Sequence, residues 1–228
     1  MTSTSAAVED YLKAVYVLGE EERDADGRSR VVATTALARR LGVSPPSATN
    51  MLKKLDALGL IVHSRYRGAE LTPAGRALAL EVIRHHRLLE TYLATALGVP
   101  WDEVHEEAEV LEHVLSEGLE DRIAAQLGDP TADPHGHPIP RRDGRVPDAG
   151  QSRLWDLPVG ATATVARVPD SDARTLRYLD ATGIRPGTEV RVVAVGPVDG
   201  PLFVTAIGSA EERCALSKVL AESIWVAR

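Results

Sequence analysis

Residues 104–123, with the sequence VHEEAEVLEHVLSEGLEDRI, determine how the rest of the chain is interpreted. Their apolar residues recur close to the 3.6-residue helical period, which predicts a single helix with one buried stripe. Imidazole and carboxylate side chains form a second stripe beside it, because positions i, i+4, i+7 and i+8 share a helix face. These donors suit a borderline-to-hard divalent metal ion. The apolar stripe comprises Val104, Ala108, Leu111, Leu115, Leu119 and Ile123, and the donor stripe comprises His105, Glu109, Glu112 and His113.

Two further donors, His86 and Glu90, stand four residues apart on a helix predicted upstream of this stretch. Taken singly, these features have ordinary explanations. A Glu and His stripe on an acidic helix is commonly a solvated face, and a single histidine is commonly structural. The convergence of three histidines and three glutamates on two helices favours a metal site over both explanations.

The composition is that of a folded chain with aliphatic cores. The 228 residues are 44% hydrophobic, 26% charged and 4% aromatic, which is enough for two or three domains. No apolar run approaches the ~20 residues of a membrane span, so no membrane partner is expected. The polar N-terminus does not have the pattern of a signal peptide. The single cysteine, Cys214, excludes an intrachain disulfide, and a cytoplasmic location is expected.

The net charge of −7 conceals two segments of opposite sign. Residues 30–76 contain eight Lys or Arg and two Asp or Glu, whereas residues 77–128 contain three basic and eleven acidic side chains. This asymmetry predicts that the first segment binds phosphates and the second binds cations.

Residues 32–58 have the pattern of a helix-turn-helix. Thr34 or Thr35 is predicted to cap the first helix. Ser44 is predicted to cap the second helix, whose first residues are prolines. The polar side of the second helix is predicted to enter a DNA major groove, with its lysines on phosphates. Its inner side is predicted to consist of Met51, Leu52, Leu55 and Leu58.

Residues 60–72 predict a short β-hairpin with basic residues at its tip. Helix, turn, helix and basic hairpin in this order favour a winged helix over a three-helix domain with a solvated face. The residues predicted to contact DNA are Thr34, Ser44, Pro46, Ser47, Thr49, Asn50, Lys53, Lys54, Arg65 and Arg67.

Two long helices are predicted to follow, over residues 73–97 and 104–127. Their combined apolar surface exceeds what a small domain can cover, so a homodimer is expected. The Pro- and Gly-rich residues 129–151 predict a linker, in which His135 and His137 are expected to be solvent-exposed rather than metal ligands. Short strands between Gly and Pro turns in residues 154–228 predict a small barrel.

Motifs along nearly the whole chain resemble the DtxR family of metal-dependent transcriptional repressors. They are EDYLKAVY (9–16), VSPPSATNMLKKLDALGLI (43–61), RHHRLLETYL (84–93), VHEEAEVLEHVLSEGLEDRI (104–123), DPHGHPIP (133–140) and LDATGIRPGTEV (179–190). The resemblance implies a mainly α fold with a C-terminal all-β domain. Its predicted parts are a winged helix-turn-helix domain at 1–73, a helical metal-binding and dimerisation domain at 74–140, a linker at 141–153 and an SH3-like or FeoA-like barrel at 154–228.

The resemblance also implies two metal sites. His86, Glu90 and His105 match the ancillary site of the family. The primary site is matched by Asp10, on a first helix predicted at 7–22, together with Glu109, Glu112 and His113.

The identity of the ion is predicted from two of these positions. Asp10 and Glu109 stand where the iron-sensing branch has methionine and cysteine. Two carboxylates therefore favour Mn²⁺, with Fe²⁺ second. Lys13 stands where some two-domain manganese sensors have a further carboxylate. Asp172 is the candidate for a ligand contributed by the barrel.

The resemblance thus predicts a non-enzymatic repressor that Mn²⁺ activates to bind double-stranded operator DNA of metal-uptake genes as a homodimer. An iron(II)-dependent repressor of iron acquisition is the alternative within the family. A metal-dependent hydrolase using Glu106 or Glu107 as its base is an alternative of another class, although no H-E-x-x-H motif is present. A winged-helix regulator of an organic ligand is a third, but it leaves the spacing of the donors unexplained.

Overall fold

The computed structural model describes most of the chain as two compact units. One unit comprises Met1–His85 with Pro140–Arg145, and the other comprises His86–Ile139 with Val146–Arg228. Across the ranges that the structure describes, no helix combines the length and the apolar composition required to cross a membrane. The described ranges are 5–21, 31–64, 67–147, 150–170, 172–198, 200–208 and 213–227.

The first unit is a winged helix-turn-helix. Its core is formed by leucine and isoleucine side chains that are at most 2% exposed, among them Leu12, Leu37 and Leu52. Strands β1 and β2 pair antiparallel, and an additional bridge joins Val32 to Ala69. The elements are α1 (Ala6–Glu21), α2 (Thr34–Arg40), α3 (Pro45–Ala57), β1 (Ile61–Ser64), β2 (Gly68–Leu71) and the start of α4 (Pro73–Ala96).

The two predicted helix caps have different outcomes. Ser44 caps α3, because its hydroxyl oxygen accepts a hydrogen bond from the Ser47 backbone N–H at 3.3 Å. The predicted Thr34 or Thr35 cap of α2 is wrong. Ala33 is the N-cap because its carbonyl accepts the first backbone hydrogen bonds of the helix, and its methyl side chain has no atom that could form a capping bond. Leu58, predicted to face inward, is 56% exposed just beyond the end of α3.

The single helix predicted for residues 104–123 is wrong. The structure has α5 (Val104–Leu111) and α6 (Glu117–Gln126), separated by a turn. Ser116 starts α6, because its hydroxyl oxygen accepts a hydrogen bond from the Leu119 backbone N–H. Periodicity alone did not reveal this cap. The break interrupts the predicted apolar stripe, and Leu111 and Leu119 are 37% and 49% exposed.

The C-terminal part of the second unit is built on a six-stranded antiparallel sheet in the order β3-β8-β4-β5-β6-β7. Fully buried aliphatic side chains from the strands and from α7, including Val165, Leu176 and Val204, form its core. This all-β domain after a helical region confirms the predicted fold class. The elements are β3 (Ser152–Arg153), β4 (Thr162–Arg167), α7 (Ala173–Ala181), β5 (Glu189–Val195), β6 (Leu202–Ala206), β7 (Cys214–Leu216), α8 (Lys218–Ser223) and β8 (Trp225–Ala227).

Candidate metal centre

His86 lies between two groups of metal-binding side chains in the second unit. It occupies α4 and is only 4% exposed. Its Nδ1 is 2.5 Å from Glu112 Oε2, and its Nε2 is 3.0 Å from Glu90 Oε1, one helical turn further along α4. The two ring nitrogens of one imidazole therefore face different carboxylates.

We define site A as His86, Glu109, Glu112 and His113. Glu112 closes α5 and is buried, and its Oε1 lies 3.5 Å from His113 Nε2 in the turn that follows. Glu109 Oε1 lies 3.9 Å from His86 Nδ1. Glu109 and Glu112 of the predicted primary site therefore face His86, which was predicted for the ancillary site, and His113 lies beside Glu112 although α5 ends at Leu111. Asp10, the remaining predicted ligand, lies half-buried on α1 in the other unit.

We define site B as Glu90, Asp133, His135, His137 and Asp170. Asp133 Oδ1 accepts hydrogen bonds from the backbone N–H groups of His135 and His137, at 2.8 and 3.0 Å. This leaves Asp133 Oδ2 directed at His137 Nδ1, 3.6 Å away. His137 Nδ1 is also 3.4 Å from Asp170 Oδ2, in the segment between β4 and α7.

His135 completes site B from the same loop. The side chain is fully buried, and its Nε2 donates to the Trp101 carbonyl at 2.7 Å. That bond keeps a proton on Nε2 and leaves Nδ1 facing Glu90 Oε2, 3.8 Å away, so a metal ion bound at Nδ1 would take the place of the proton there. The expectation that His135 and His137 are solvent-exposed loop residues is therefore wrong.

Four of the five side chains of site B each have one buried polar atom without a hydrogen bond in the described part of the chain, although Asp133 Oδ2 lies 3.7 Å from Arg87 Nε. Glu90 Oε2, Asp133 Oδ2, His135 Nδ1 and His137 Nδ1 are buried and make no hydrogen bond within the described ranges. Each buried orphan costs about 1–3 kcal/mol. Ligand atoms of an octahedral ion with bonds of about 2.1 Å lie about 3 Å apart, so the observed spacings of 3.4–3.8 Å need only a small contraction. The residues present fit a divalent cation.

The charges at site B also favour a cation. Burial alone would raise the pKa of Glu90, but the neighbouring His86, His105 and His135 hold that pKa well below its usual value. Burial would likewise lower the pKa of His135, yet the carboxylates of Glu90 and Asp133 raise it to about 9. Burial raises the pKa of Asp170, but His137 brings it below its usual value. The Glu90 and Asp170 carboxylates are therefore ionised at neutral pH, when they can bind a cation, whereas His135 must release its Nδ1 proton to become a ligand.

His105 lies between the two sites. Its Nδ1 is 3.2 Å from Glu90 Oε1, and its Nε2 is 3.7 Å from Glu109 Oε1. The structure therefore brings together His86, Glu90 and His105, as the predicted ancillary site requires. Glu90 also lies in site B, where it faces His135.

The loop that carries site B is held against the barrel by backbone contacts. Gly136 has a φ of +87°, and a Cβ at this position would lie 1.9 Å from the Ala166 carbonyl oxygen. The Val168 N–H donates to the His135 carbonyl at 2.9 Å. Arg87 holds the other side of the loop through a 2.6 Å hydrogen bond to the Pro138 carbonyl. The alternating donors Asp133, His135 and His137 in the sequence DPHGHP indicate this site. They were not predicted as ligands because the Pro- and Gly-rich composition of the segment is typical of a linker.

Asp172, the predicted barrel ligand, does not join these clusters. It is the N-cap of α7, where its carboxylate accepts hydrogen bonds from the Arg174 N–H and the Thr175 hydroxyl. These bonds lower the pKa of this exposed carboxyl. Asp170, two residues earlier, faces site B instead.

The predicted DNA contacts lie largely on the surface of the first unit. Ser47, Asn50, Lys53 and Lys54 are exposed along α3. The Thr49 hydroxyl donates to the Pro45 carbonyl one turn earlier. Arg65 lies outside the described residues. Of the remaining predicted contacts, Ser44, Pro46 and Arg67 are exposed, and Thr34 is half-buried.

Three family models match consecutive parts of the chain. The iron dependent repressor N-terminal DNA binding domain matches residues 3–69, and the metal binding and dimerisation domain of the same repressors matches residues 72–141. The FeoA domain matches residues 153–228.

Whole-chain relatives agree with these matches. The iron-dependent repressor IdeR of Mycobacterium tuberculosis is 35% identical over 96% of this chain and 95% of its own. The diphtheria toxin repressor of Corynebacterium efficiens is 37% identical over 81% of this chain and 82% of its own. A solved manganese-dependent transcriptional repressor in complex with manganese is 42% identical, with a TM-score of 0.88 over 96% of this chain and 99% of its own. The manganese regulator SloR is 29% identical, with a TM-score of 0.79 over the full length of both chains.

Proposed function

Because the chain belongs to the DtxR family of metal-dependent transcriptional repressors, we propose that Mn²⁺ is the ion that activates it for operator binding. The chain is thus a DNA-binding regulator and not an enzyme, which removes the hydrolase alternative. The observation that carries the proposal of Mn²⁺ is the donor set. Within the described residues, the side-chain clusters that could hold a metal ion offer carboxylate oxygens and imidazole nitrogens and no thiolate.

Carboxylate oxygens suit Mn²⁺, and the absence of thiolate from both sites removes a preference for later, tighter-binding metals. The only cysteine, Cys214, is packed in the barrel core and is not among the donors of either site. The solved manganese-dependent repressor supports the same ion, whereas the iron-dependent relatives make Fe²⁺ the second candidate.

We assign one ion to each site. At site A, Asp10 joins His86, Glu109, Glu112 and His113. At site B, the ligands are Glu90, Asp133, His135, His137 and Asp170. When bound, the ion supplies the positive charge that allows several carboxylates to converge. Asp10 is the one ligand contributed by the winged-helix unit. Coordination of the ion by Asp10 fixes the winged-helix unit in the conformation that binds DNA. The ion shifts the equilibrium toward this conformation because it binds it more tightly than the conformation in which Asp10 is not a ligand.

The repressor acts on DNA as a homodimer in this proposal. The matched family model describes a dimerisation domain. Val110, Val114 and Leu119 expose 72%, 77% and 49% of their surface around the break between α5 and α6, and a second copy would cover them. Two copies of α3 then read two half-sites, with Ser47, Asn50 and the lysines toward the DNA.

The test is DNA binding measured by fluorescence anisotropy on promoter fragments of metal-uptake genes. Anaerobic titrations use Mn²⁺, Fe²⁺, Zn²⁺ or chelator. We expect binding at micromolar Mn²⁺, weaker activation by Fe²⁺, and none in chelator. Asp10→Ala is expected to abolish activation by Mn²⁺, whereas Asp172→Asn, which removes a carboxylate outside both sites, preserves it. Equal binding in chelator would refute metal activation, and stronger activation by Fe²⁺ would refute the choice of Mn²⁺.

A further inference from the structure

Glu90 is the one carboxylate whose two oxygens serve different neighbours at the centre of the second unit. Its Oε1 is 3.0 Å from His86 Nε2 and 3.2 Å from His105 Nδ1. Its Oε2 makes no hydrogen bond and faces His135 Nδ1 in site B. The side chain is fully buried. One residue therefore contacts a donor of site A and also lines site B.

The imidazole of His86 has the complementary arrangement. Nδ1 faces Glu112 and Glu109 of site A, at 2.5 and 3.9 Å, and Nε2 faces Glu90. A neutral imidazole that ligates through Nδ1 must carry its proton on Nε2. That N–H then donates to Glu90 Oε1. A carboxylate that receives the distal N–H of a ligating histidine fixes the orientation of the ring and raises the basicity of the ligand.

We propose that Glu90, besides being a ligand at site B, is the positioning residue that orients His86 for the metal at site A. This inference rests on the proposed function, because it assumes an ion at each site. Burial of both side chains strengthens the argument. Loss of the carboxylate leaves the His86 N–H with His105 Nδ1, 3.1 Å away, as its remaining neighbour, and a neutral imidazole is a weaker acceptor than a carboxylate.

Two substitutions of similar size separate the roles. Glu90→Gln keeps an oxygen that can accept from His86 Nε2–H but removes the charged ligand from site B. Glu90→Met fills the same space and removes the acceptor. His137→Ala serves as the matched control, because His137 faces Asp133, Asp170 and His135, which all belong to site B.

The measurement is Mn²⁺ binding to the full-length chain, followed by the electron paramagnetic resonance signal of the free ion. Glu112→Gln identifies the site A component in the wild-type curve. All three test variants are expected to weaken site B strongly. At site A, we expect about tenfold weaker binding in Glu90→Met, a loss of less than about threefold in Glu90→Gln, and no change in His137→Ala. Circular dichroism and melting curves identify any variant that fails to fold.

A spectroscopic readout tests the hydrogen bond directly. With Cd²⁺ as a diamagnetic probe, long-range ¹H–¹⁵N spectra of the imidazole groups are expected to show His86 protonated at Nε2 in the wild-type chain. Wild-type affinity at site A in a folded Glu90→Met, or equal losses in the Met and Gln variants, would overturn the positioning role. A wild-type chain that binds no Mn²⁺, or binds DNA without it, would instead refute the proposed function.

Discussion

Replacing Gly136 by alanine tests whether the close approach of its loop to the barrel builds site B. The added Cβ would lie 1.9 Å from the Ala166 carbonyl oxygen, well inside ordinary contact distances of 3.4–4 Å, so the loop must retreat by more than 1 Å. The φ of +87° adds about 1–2 kcal/mol of strain for an L-residue. Retreat also breaks the bond from the Val168 N–H to the His135 carbonyl, which contributes about 1 kcal/mol. We expect a total destabilisation of about 3 kcal/mol.

The same movement displaces the metal ligands beyond the tolerance of about 0.2 Å for metal–ligand distances. Gly136→Ala is therefore expected to retain one Mn²⁺ per chain after desalting, whereas the wild type retains two. Metal content is measured by atomic spectroscopy, and stability by urea unfolding in chelator. Gly128→Ala is the matched control, because Gly128 has a φ of +72° and no atom near its missing Cβ. Two retained ions in Gly136→Ala, with stability within 1 kcal/mol of the control, would refute the reasoning.

Three further predictions concern pH, fluorescence and DNA. The pKa of His135 is raised to about 9, above its ordinary 6.5, so its stabilising charge is fully present below about pH 6.5 and lost as the pH rises through about 9. Urea unfolding in chelator should therefore show the free energy of unfolding falling by up to about 3 kcal/mol over that range, and an unchanged value would contradict the ion pair with Glu90. Trp101 stacks on His135 with ring centroids 5.6 Å apart, so paramagnetic Mn²⁺ at site B should quench the fluorescence of Trp101. Quenching of the same size in Trp101→Phe would contradict this assignment. Lys53→Ala should weaken binding to DNA of any sequence and reduce the slope of log affinity against log salt concentration by about one, because it removes a phosphate contact. Arg122→Ala on α6 should change neither the affinity nor the slope, and anisotropy titrations at several salt concentrations measure both.

The winged helix was predictable because its signals are local. The start of α3 is marked by the capping hydroxyl of Ser44, the two prolines after it and the polar face of the helix. The hairpin that follows has strands at Ile61–Ser64 and Gly68–Leu71, within the predicted residues 60–72. Each of these features depends on residues a few positions apart, so the sequence is sufficient to place them.

The errors have a local and a long-range origin. Ser116 begins α6 within a stretch whose apolar spacing is helical throughout, and this local cap outweighs periodicity over a few residues. His135 and His137 lie in a segment with the composition of a linker, and they are buried by long-range contacts of this segment with β4 and with Trp101. Whether Asp170 or Asp172 faces site B depends on where α7 begins, which the loop sequence did not fix.

The turn at Asp133 bears on how reversibly site B binds its ion. One carboxylate oxygen organises the backbone of the loop, and the other is left for the ion. The loop conformation thus rests on hydrogen bonds within the chain, and these reduce the conformational entropy that binding an ion would have to remove. Because these bonds do not involve the ion, we expect site B to release and rebind it without unfolding of the loop. Such reversibility is what a sensor of a fluctuating nutrient requires.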